Sequence, residues 1–563
     1  MKKVLSVFLS MLIMFSLCVP AFAADASDEL KVTVANDLHY SLAYSSAATV
    51  KKHNSISKDY SHIASTGKLN YESVAIFDAF MEAAAASDSD VILVPGDIVE
   101  AGTVVEHIAV SERFFEFEQT TGKQIYVIPG NHDLFKTSTE EFYAVYYNHG
   151  YDKALATDTN SLSYTVDLND EYRLLAIDST DPGNGPHGMT QARVDWIAQQ
   201  CEKAKADGKY VIAMMHHTLL DHYSFLAEIH IGEAVNSDIA LADVLADGGV
   251  KYIFTGHIHI QDIMSYTSEK GATIYDVVTG SLTTYPCAYR EVTFSDDVKF
   301  ETKKIQSIDY SDVASGISEN ALALAKSDFP QYAYECARVG MRLVMTSYIK
   351  GSSLVSLLKL DKEKDAELCA LIEKVGDRIS EVAVMPLYAK DAAEGENSVE
   401  AIAAGFGKTI PDSNYKDLID LLGVIYLAYQ NGDEDYPAYT KEILIATRGV
   451  TAVFTYALED VSAQDYAVVL KLLFDFLGVE VDSGLLEFTG SIVSIYEYLE
   501  LVLTTAVIPM LTNISDDTAP ADNNVTLPGY GKAAEEELSF WEQIIEFFRK
   551  IFNFFMGLFN IMG

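Results

Sequence analysis

Along the first half of the chain, short apolar runs stop abruptly at Asp, Asn, His or Gly. They read "LKVTVAND", "DVILVPGD", "KQIYVIPGN", "YRLLAIDS", "KYVIAMMHH" and "KYIFTGH". Apolar runs of about four to eight residues bounded by turn formers predict strands buried on both faces. Between them, "YESVAIFDAFMEAAAA" and "TQARVDWIAQQCEKAKAD" space their apolar residues three and four apart, which predicts helices packed on a sheet. The alternation predicts an α/β domain over residues 29–306. From "GATIYDVVTGS" to "FETKKI" the helices drop out, and a β-meander is expected to finish this domain.

Beyond residue 310 the period changes. "YKDLIDLLGVIYLAYQ", "KEILIATRGVTAVFTYALEDV", "AQDYAVVLKLLFDFLG" and "LLEFTGSIVSIYEYLELVL" predict an all-α domain over 310–511. Glu497 and Glu500 interrupt the last run, which reads as a buried helix rather than a membrane span. Residues 512–537, with "SDDTAPADNNVTLPGYGK", are too polar and turn-rich for a core and are expected to be a disordered linker. Residues 538–563 predict a Phe-rich amphipathic helix. Its polar stripe is Glu542, Glu546, Arg549, Lys550, Asn553, Gly557 and Asn560. Such a helix suits a membrane interface, held by apolar burial because it lacks a Lys-rich face, or packing on the protein's own body or a second copy.

Composition narrows the function classes. Forty Lys+Arg against 82 Asp+Glu give a net charge of −42, which excludes a nucleic acid polymer as the expected partner. Residues 1–23 have a Lys2-Lys3 start, an apolar stretch and a small-residue end at Ala21-Phe22-Ala23, the pattern of a cleaved signal peptide. The chain is therefore expected to be exported, as an extracellular or cell-surface protein. Cys201, Cys287, Cys336 and Cys369 remain in the mature chain, at no short metal-binding or redox spacing.

The chemistry sits where the strands stop. Asp37 and His39, then Asp97, then Asn131, His132 and Asp133, then His216 and His217, then His257 and His259 each follow an apolar run. In open α/β sheets ligands bind beyond the carboxyl ends of the strands, so five segments are expected to meet at one edge of one sheet. A lone histidine beside a strand is ordinarily structural, and Gly-Asp is ordinarily a turn. Their conjunction is what points to a site. Carboxylates, an amide and imidazoles without Cys suit two divalent metal ions drawn from Mn, Fe, Zn or Co. A carboxylate bridges such a pair well, and phosphate esters are the natural target. The neighbouring glycines, Gly256 among them, are expected to let the chain bend there.

In these residues the chain resembles the calcineurin-like metallophosphoesterase family: Asp37-Leu38-His39, Gly96-Asp97, Gly130-Asn131-His132-Asp133, His216 and Gly256-His257-Ile258-His259 stand in the family's order. The resemblance covers 29–306 and implies an αββα sandwich of two mixed β-sheets. It implies that Asp37, His39 and His259 hold one metal, Asn131, His216 and His257 the other, and that Asp97 bridges them. A bridging hydroxide would attack phosphorus in line. His132 would act as general acid or charge stabiliser, oriented by Asp133. Consecutive strand residues face opposite ways, so only one of His216 and His217 can point at the metals. The family pattern favours His216, leaving His217 as a substrate contact.

The resemblance thus implies an exported hydrolase of small phosphate esters, monoester or diester. The segment Tyr40–Asn70 is an insertion that either reaches substrate or pads the surface. Nothing in the family pattern accounts for 310–511. A catalytically silent surface protein that binds through its helical domain and tail is the alternative, and the complete ligand set argues against it.

Overall fold

All six apolar runs form strands: β1 (Leu30–Val34), β2 (Val91–Val94), β3 (Gln124–Val127), β6 (Tyr172–Ile177), β7 (Tyr210–Met215) and β8 (Val250–Thr255). The computed structural model describes residues 29–44, 58–180 except 64 and 65, 189–222, 235 and 240–459 except 312, 314, 315, 433–435 and 437–439. It also describes scattered positions from 461 to 500, and 520–530. The expected signal peptide at 1–23 and amphipathic helix at 538–563 lie outside the described residues.

The strands divide between two sheets. With β11 (Ala288–Phe294), β12 (Asp297–Lys304) and β13 (Asn524–Pro528), the first runs β13-β12-β11-β1-β2-β3. The second runs β4-β5-β6-β7-β8-β10-β9, adding β4 (Ala156–Thr157), β5 (Tyr164–Asp167), β9 (Asp262–Thr267) and β10 (Thr273–Val278). Both are mixed. Strands β1, β2 and β3 run parallel, as do β6, β7, β8 and β10, while the outer strands are antiparallel. The two mixed sheets of the expected sandwich are therefore present, but the expected meander is not. Strand β10 joins β8 in the second sheet, and β11 and β12 form a hairpin in the first, because an apolar run carries no record of which edge it will pair with.

Residue alternation shows why both faces of the second sheet are apolar. Leu174, Ile212, Met214, Tyr252 and Phe254 face the first sheet. Leu175, Ala213, Met215 and Ile253 face helices α4 (Gln191–Ala206) and α5 (Leu241–Asp247). On the first sheet's outer face lie α1 (Ser73–Ala86) and α2 (Val104–Thr121), through Phe77, Phe80 and Phe114. Helix α2 starts at a capping box in which Thr103 and Glu106 satisfy each other's backbone N–H, which holds the end of the loop running from Gly96 to Gly102. Helix α3 (Thr139–Val145) follows β3.

Two expectations about the second half need correction. Helices α6 (Glu319–Ser327) and α7 (Phe329–Tyr348) do not belong to a separate helical core. Ala325, Phe329, Tyr332 and Cys336 are buried in the core of the sandwich. Helices α8 (Gly351–Leu357), α9 (Ala366–Ala383), α10 (Val399–Gly405), α11 (Leu418–Asn431) and α12 (Lys441–Ala457) form their own core. Arg338 and Arg342 of α7 pair with Asp420 and Asp417 and tie the two bodies together. The second correction is to the linker. Asn524–Pro528 pairs antiparallel with β12 and closes the first sheet's edge, with Leu527 buried and the Tyr530 hydroxyl donating to Val211 O. Main-chain pairing to a free edge needs little apolar content, so composition hid it. Among the described residues no helix is long and apolar enough to cross a membrane.

Candidate metal centre

The expectation of one sheet edge is overturned. Strands β1, β2 and β3 of the first sheet deliver Asp37, His39, Asp97, Asn131 and His132, while β7 and β8 of the second deliver His216, His257 and His259. The residues meet because two sheets stack with their parallel strands ending at the same side. Backbone geometry marks the spot. Asp37, His39, Asp97, His257 and His259 all adopt positive φ, at 49°, 42°, 46°, 70° and 58°, a region that side chains ordinarily avoid.

Within the cluster, two groups of donor atoms face each other. His39 Nε2 and His259 Nε2 are 3.1 Å apart, with Asp37 Oδ1 3.8 and 3.3 Å from them. His216 Nε2 lies 3.2 Å from His257 Nδ1 and 3.1 Å from Asn131 Oδ1. Between the groups sits Asp97, whose Oδ2 is 3.8 Å from His39 Nε2 and 3.5 Å from His216 Nε2. All but His257, His259, Asn131 and His132 are buried.

Strand parity does not keep the adjacent histidines apart, because both stand past the end of β7 with ring centres 5.0 Å from each other. His216 continues the inward face of Met214, and its Nδ1 donates to Pro95 O at 3.0 Å, leaving Nε2 toward Asp97. His217 has Nδ1 2.8 Å from Ser179 Oγ and its ring 4.5 Å from that of His257, so both histidines offer a ligand atom beside His257.

Residues 30–261 match the family model described as calcineurin-like phosphoesterase. This stretch is a calcineurin-like phosphoesterase domain. Over 237 residues the chain is 28% identical to the 3',5'-cyclic adenosine monophosphate phosphodiesterase of Haemophilus influenzae, covering 40% of this chain and 78% of that protein. Over 161 residues it is 29% identical to a probable glycerophosphodiester phosphodiesterase of Arcobacter nitrofigilis, covering 28% of this chain and 54% of that one. A solved dimetal phosphatase from Danio rerio aligns at 11% identity and TM-score 0.35, over 49% of this chain and 96% of its own, a likeness too loose to bear on the site.

The residues of this phosphoesterase domain fit a divalent cation. Asp37 Oδ1 is fully buried and accepts no hydrogen bond, an arrangement that costs free energy unless a cation completes it. Among the described residues four groups of three, one of them His216, His217 and His257, bring ligand atoms within 4.8 Å of one another. Protonation is pulled in opposite directions across the site. Burial pushes the Asp37 carboxyl up, but the His259 and His216 imidazoles outweigh it and hold it at about 2. Asp97 is likewise held well below the carboxylate range by His216, His39 and His132, against burial. Burial lowers His216, yet Asp97 and Asp37 raise it to about 9, whereas burial and the Lys68 charge take His39 down to about 4. A cation among these groups supplies the positive charge that protons otherwise provide.

Of the motif's glycines, Gly96 lets the chain bend, at φ 92°, whereas Gly130 and Gly256 make room instead. Gly256 does not have positive φ, but a Cβ there would strike Asp37 Oδ2 and stand 2.9 Å from Asn36 Nδ2. At Gly130 a Cβ would strike the Asp97 carboxylate.

The role expected of Asp133 is not the one it has. Its carboxylate accepts from the backbone N–H groups of Ile98, Val99 and Gly130 at 3.2, 3.1 and 2.8 Å, stapling two ligand loops together. His132 is oriented by Glu100 instead, donating from Nδ1 to Glu100 O at 2.8 Å. Glu100 also turns its carboxylate to His39, with Oε2 2.9 Å from Nδ1. Sequence reading missed Glu100, though its place three residues after Asp97 was a usable signal. It missed Lys68 as well, whose Nζ is 2.9 Å from the same Glu100 oxygen. On the outer side of His132 stands Phe135, 58% exposed, with ring centres 4.6 Å apart.

Proposed function

We propose that residues 29–306 are the catalytic domain of an exported phosphodiesterase that works with two divalent cations. The carrying observation is the position of Asp97, within 4 Å of both His39 Nε2 and His216 Nε2, where one carboxylate can serve two ligand groups. Asp37, His39 and His259 would hold one cation, and Asn131, His216 and His257 the other. Bound there, divalent cations supply Lewis acidity toward the phosphoryl oxygens and a water-derived nucleophile at neutral pH. Asp37 and Asp97 are ready to ligate because their carboxyls stay ionised. With Nδ1 committed to Glu100 O, His132 has Nε2 left to hold or give a proton at the leaving oxygen. The names of the two phosphodiesterase relatives favour a small diester over a monoester, and the leader-like pattern of residues 1–23 supports export.

One experiment covers these points. The chain is recovered from the exported fraction, its start checked by mass spectrometry, its metal counted, and its turnover of bis-p-nitrophenyl phosphate compared with p-nitrophenyl phosphate. A chain beginning at Ala24, about two metals and faster diester turnover are expected. Asp97→Asn should lower turnover by about 10³-fold or more with loss of metal. Activity indifferent to that change, or fewer than about one metal per chain, refutes the reading.

A further inference from the structure

The insertion between β1 and β2 reaches the site at its foot. Lys68 is only 7% exposed, far below what an unpaired surface lysine shows. Its Nζ lies 2.9 Å from Glu100 Oε2 and 3.3 Å from His39 Nδ1. The same Glu100 oxygen is 2.9 Å from His39 Nδ1. With Nε2 given to a cation and Nδ1 2.9 Å from the Glu100 carboxylate, the His39 ring carries its hydrogen on Nδ1. Ammonium and imidazole are then both donors and cannot bond each other. They share one carboxylate oxygen, and the ammonium is held beside the ring as a bare positive neighbour.

A carboxylate behind a ligating imidazole strengthens it as a donor and fixes its tautomer. A cation that claims part of the same carboxylate weakens that effect and also repels positive charge on the ring's far nitrogen. His216 stands in contrast, because its rear nitrogen meets the neutral carbonyl of Pro95. We propose that Lys68 is a positioning residue that holds down the metal affinity of the Asp37–His39–His259 group, so that the two cations bind unequally and the insertion governs the weaker one. The proposal rests on the two-cation reading above.

The two members of the Lys68–Glu100 pair then act with opposite sign, which a merely structural ion pair does not do. Metal-free full-length chain is titrated with Mn²⁺ by calorimetry, and the step that vanishes in His259→Ala identifies the group. Lys68→Met and Lys68→Gln, the second keeping a donor for Glu100, should each tighten that step about tenfold, while Glu100→Gln weakens it about tenfold or more. The other step should stay within about twofold. Weakening in all three variants, an unchanged step in both lysine variants, equal tightening of both steps, or failure of both lysine variants to fold by circular dichroism overturns the proposal. A wild-type chain that takes up no Mn²⁺ instead overturns the reading of the site itself.

Discussion

The two ligand groups proposed for the site are near mirror images in composition and unlike in support. One stands on strained backbone at Asp37, His39 and His259 and is backed by a charged pair, Glu100 and Lys68. The other has strained backbone only at His257, with His216 and Asn131 in ordinary conformations and a main-chain carbonyl behind His216. Similar ligands can thus be backed by a buried charged pair or by a neutral main-chain carbonyl. The first arrangement depends on more distant parts of the chain, and it is the one more easily disturbed.

The largest effect expected from breaking this comparison comes from the ligands. His259→Ala and His216→Ala should each cost about 10³-fold in diester turnover. The pair sharpens the contrast through metal content: His259→Ala should leave about one tightly held metal, and His216→Ala about one loosely held metal. Equal residual affinities would remove the asymmetry.

A smaller effect should follow from Gly256→Ala. The added methyl meets Asp37 Oδ2 and Asn36, so it should disturb the first group and spare the second, destabilising the fold by about 1–3 kcal/mol by thermal denaturation. Loss of metal from the second group as well would show that the two are mechanically one unit.

The smallest effect concerns the support beneath the β8 loop. His222 is buried with Nδ1 2.7 Å from Asp262 and Nε2 3.1 Å from Asp276. Burial lowers its pKa, but the two carboxylates prevail and raise it to about 10. A raised histidine contributes its full stability below about pH 6.5, its unfolded value, and loses it as pH climbs toward the folded value. Wild-type melting temperature should therefore fall between those limits, and His222→Gln should start lower and vary less over the same range. A parallel pair of pH profiles would exclude the ion pair as the cause. The Tyr429 hydroxyl of α11 donates to His222 O at 2.6 Å, so this cluster also joins the helical body to the site.

Much of the site was legible from the chain because its chemistry-bearing residues follow strand ends, and strand ends are read from local periodicity. The parity argument for His216 and His217 came from the same source but fails past the end of β7, where both rings reach His257. Asp133 was misread because its neighbour in sequence, His132, is not its partner in space. Glu100 lay three residues from a motif and Lys68 lay in a segment without any pattern, so neither had a period to reveal it.

Residue type and order along the chain determined the α/β alternation, the strand ends and the set of carboxylates, amide and imidazoles that can hold cations. Those follow from apolar spacing and from donor chemistry, both of which are local. Only the tertiary structure decided that two sheets share the site, that β13 closes an edge from more than two hundred residues away, that α6 and α7 belong to the sandwich core, and that a lysine stands behind His39. Each of these is a meeting of distant segments, set by which buried surfaces and free edges fit together, and no stretch of sequence contains its own partner.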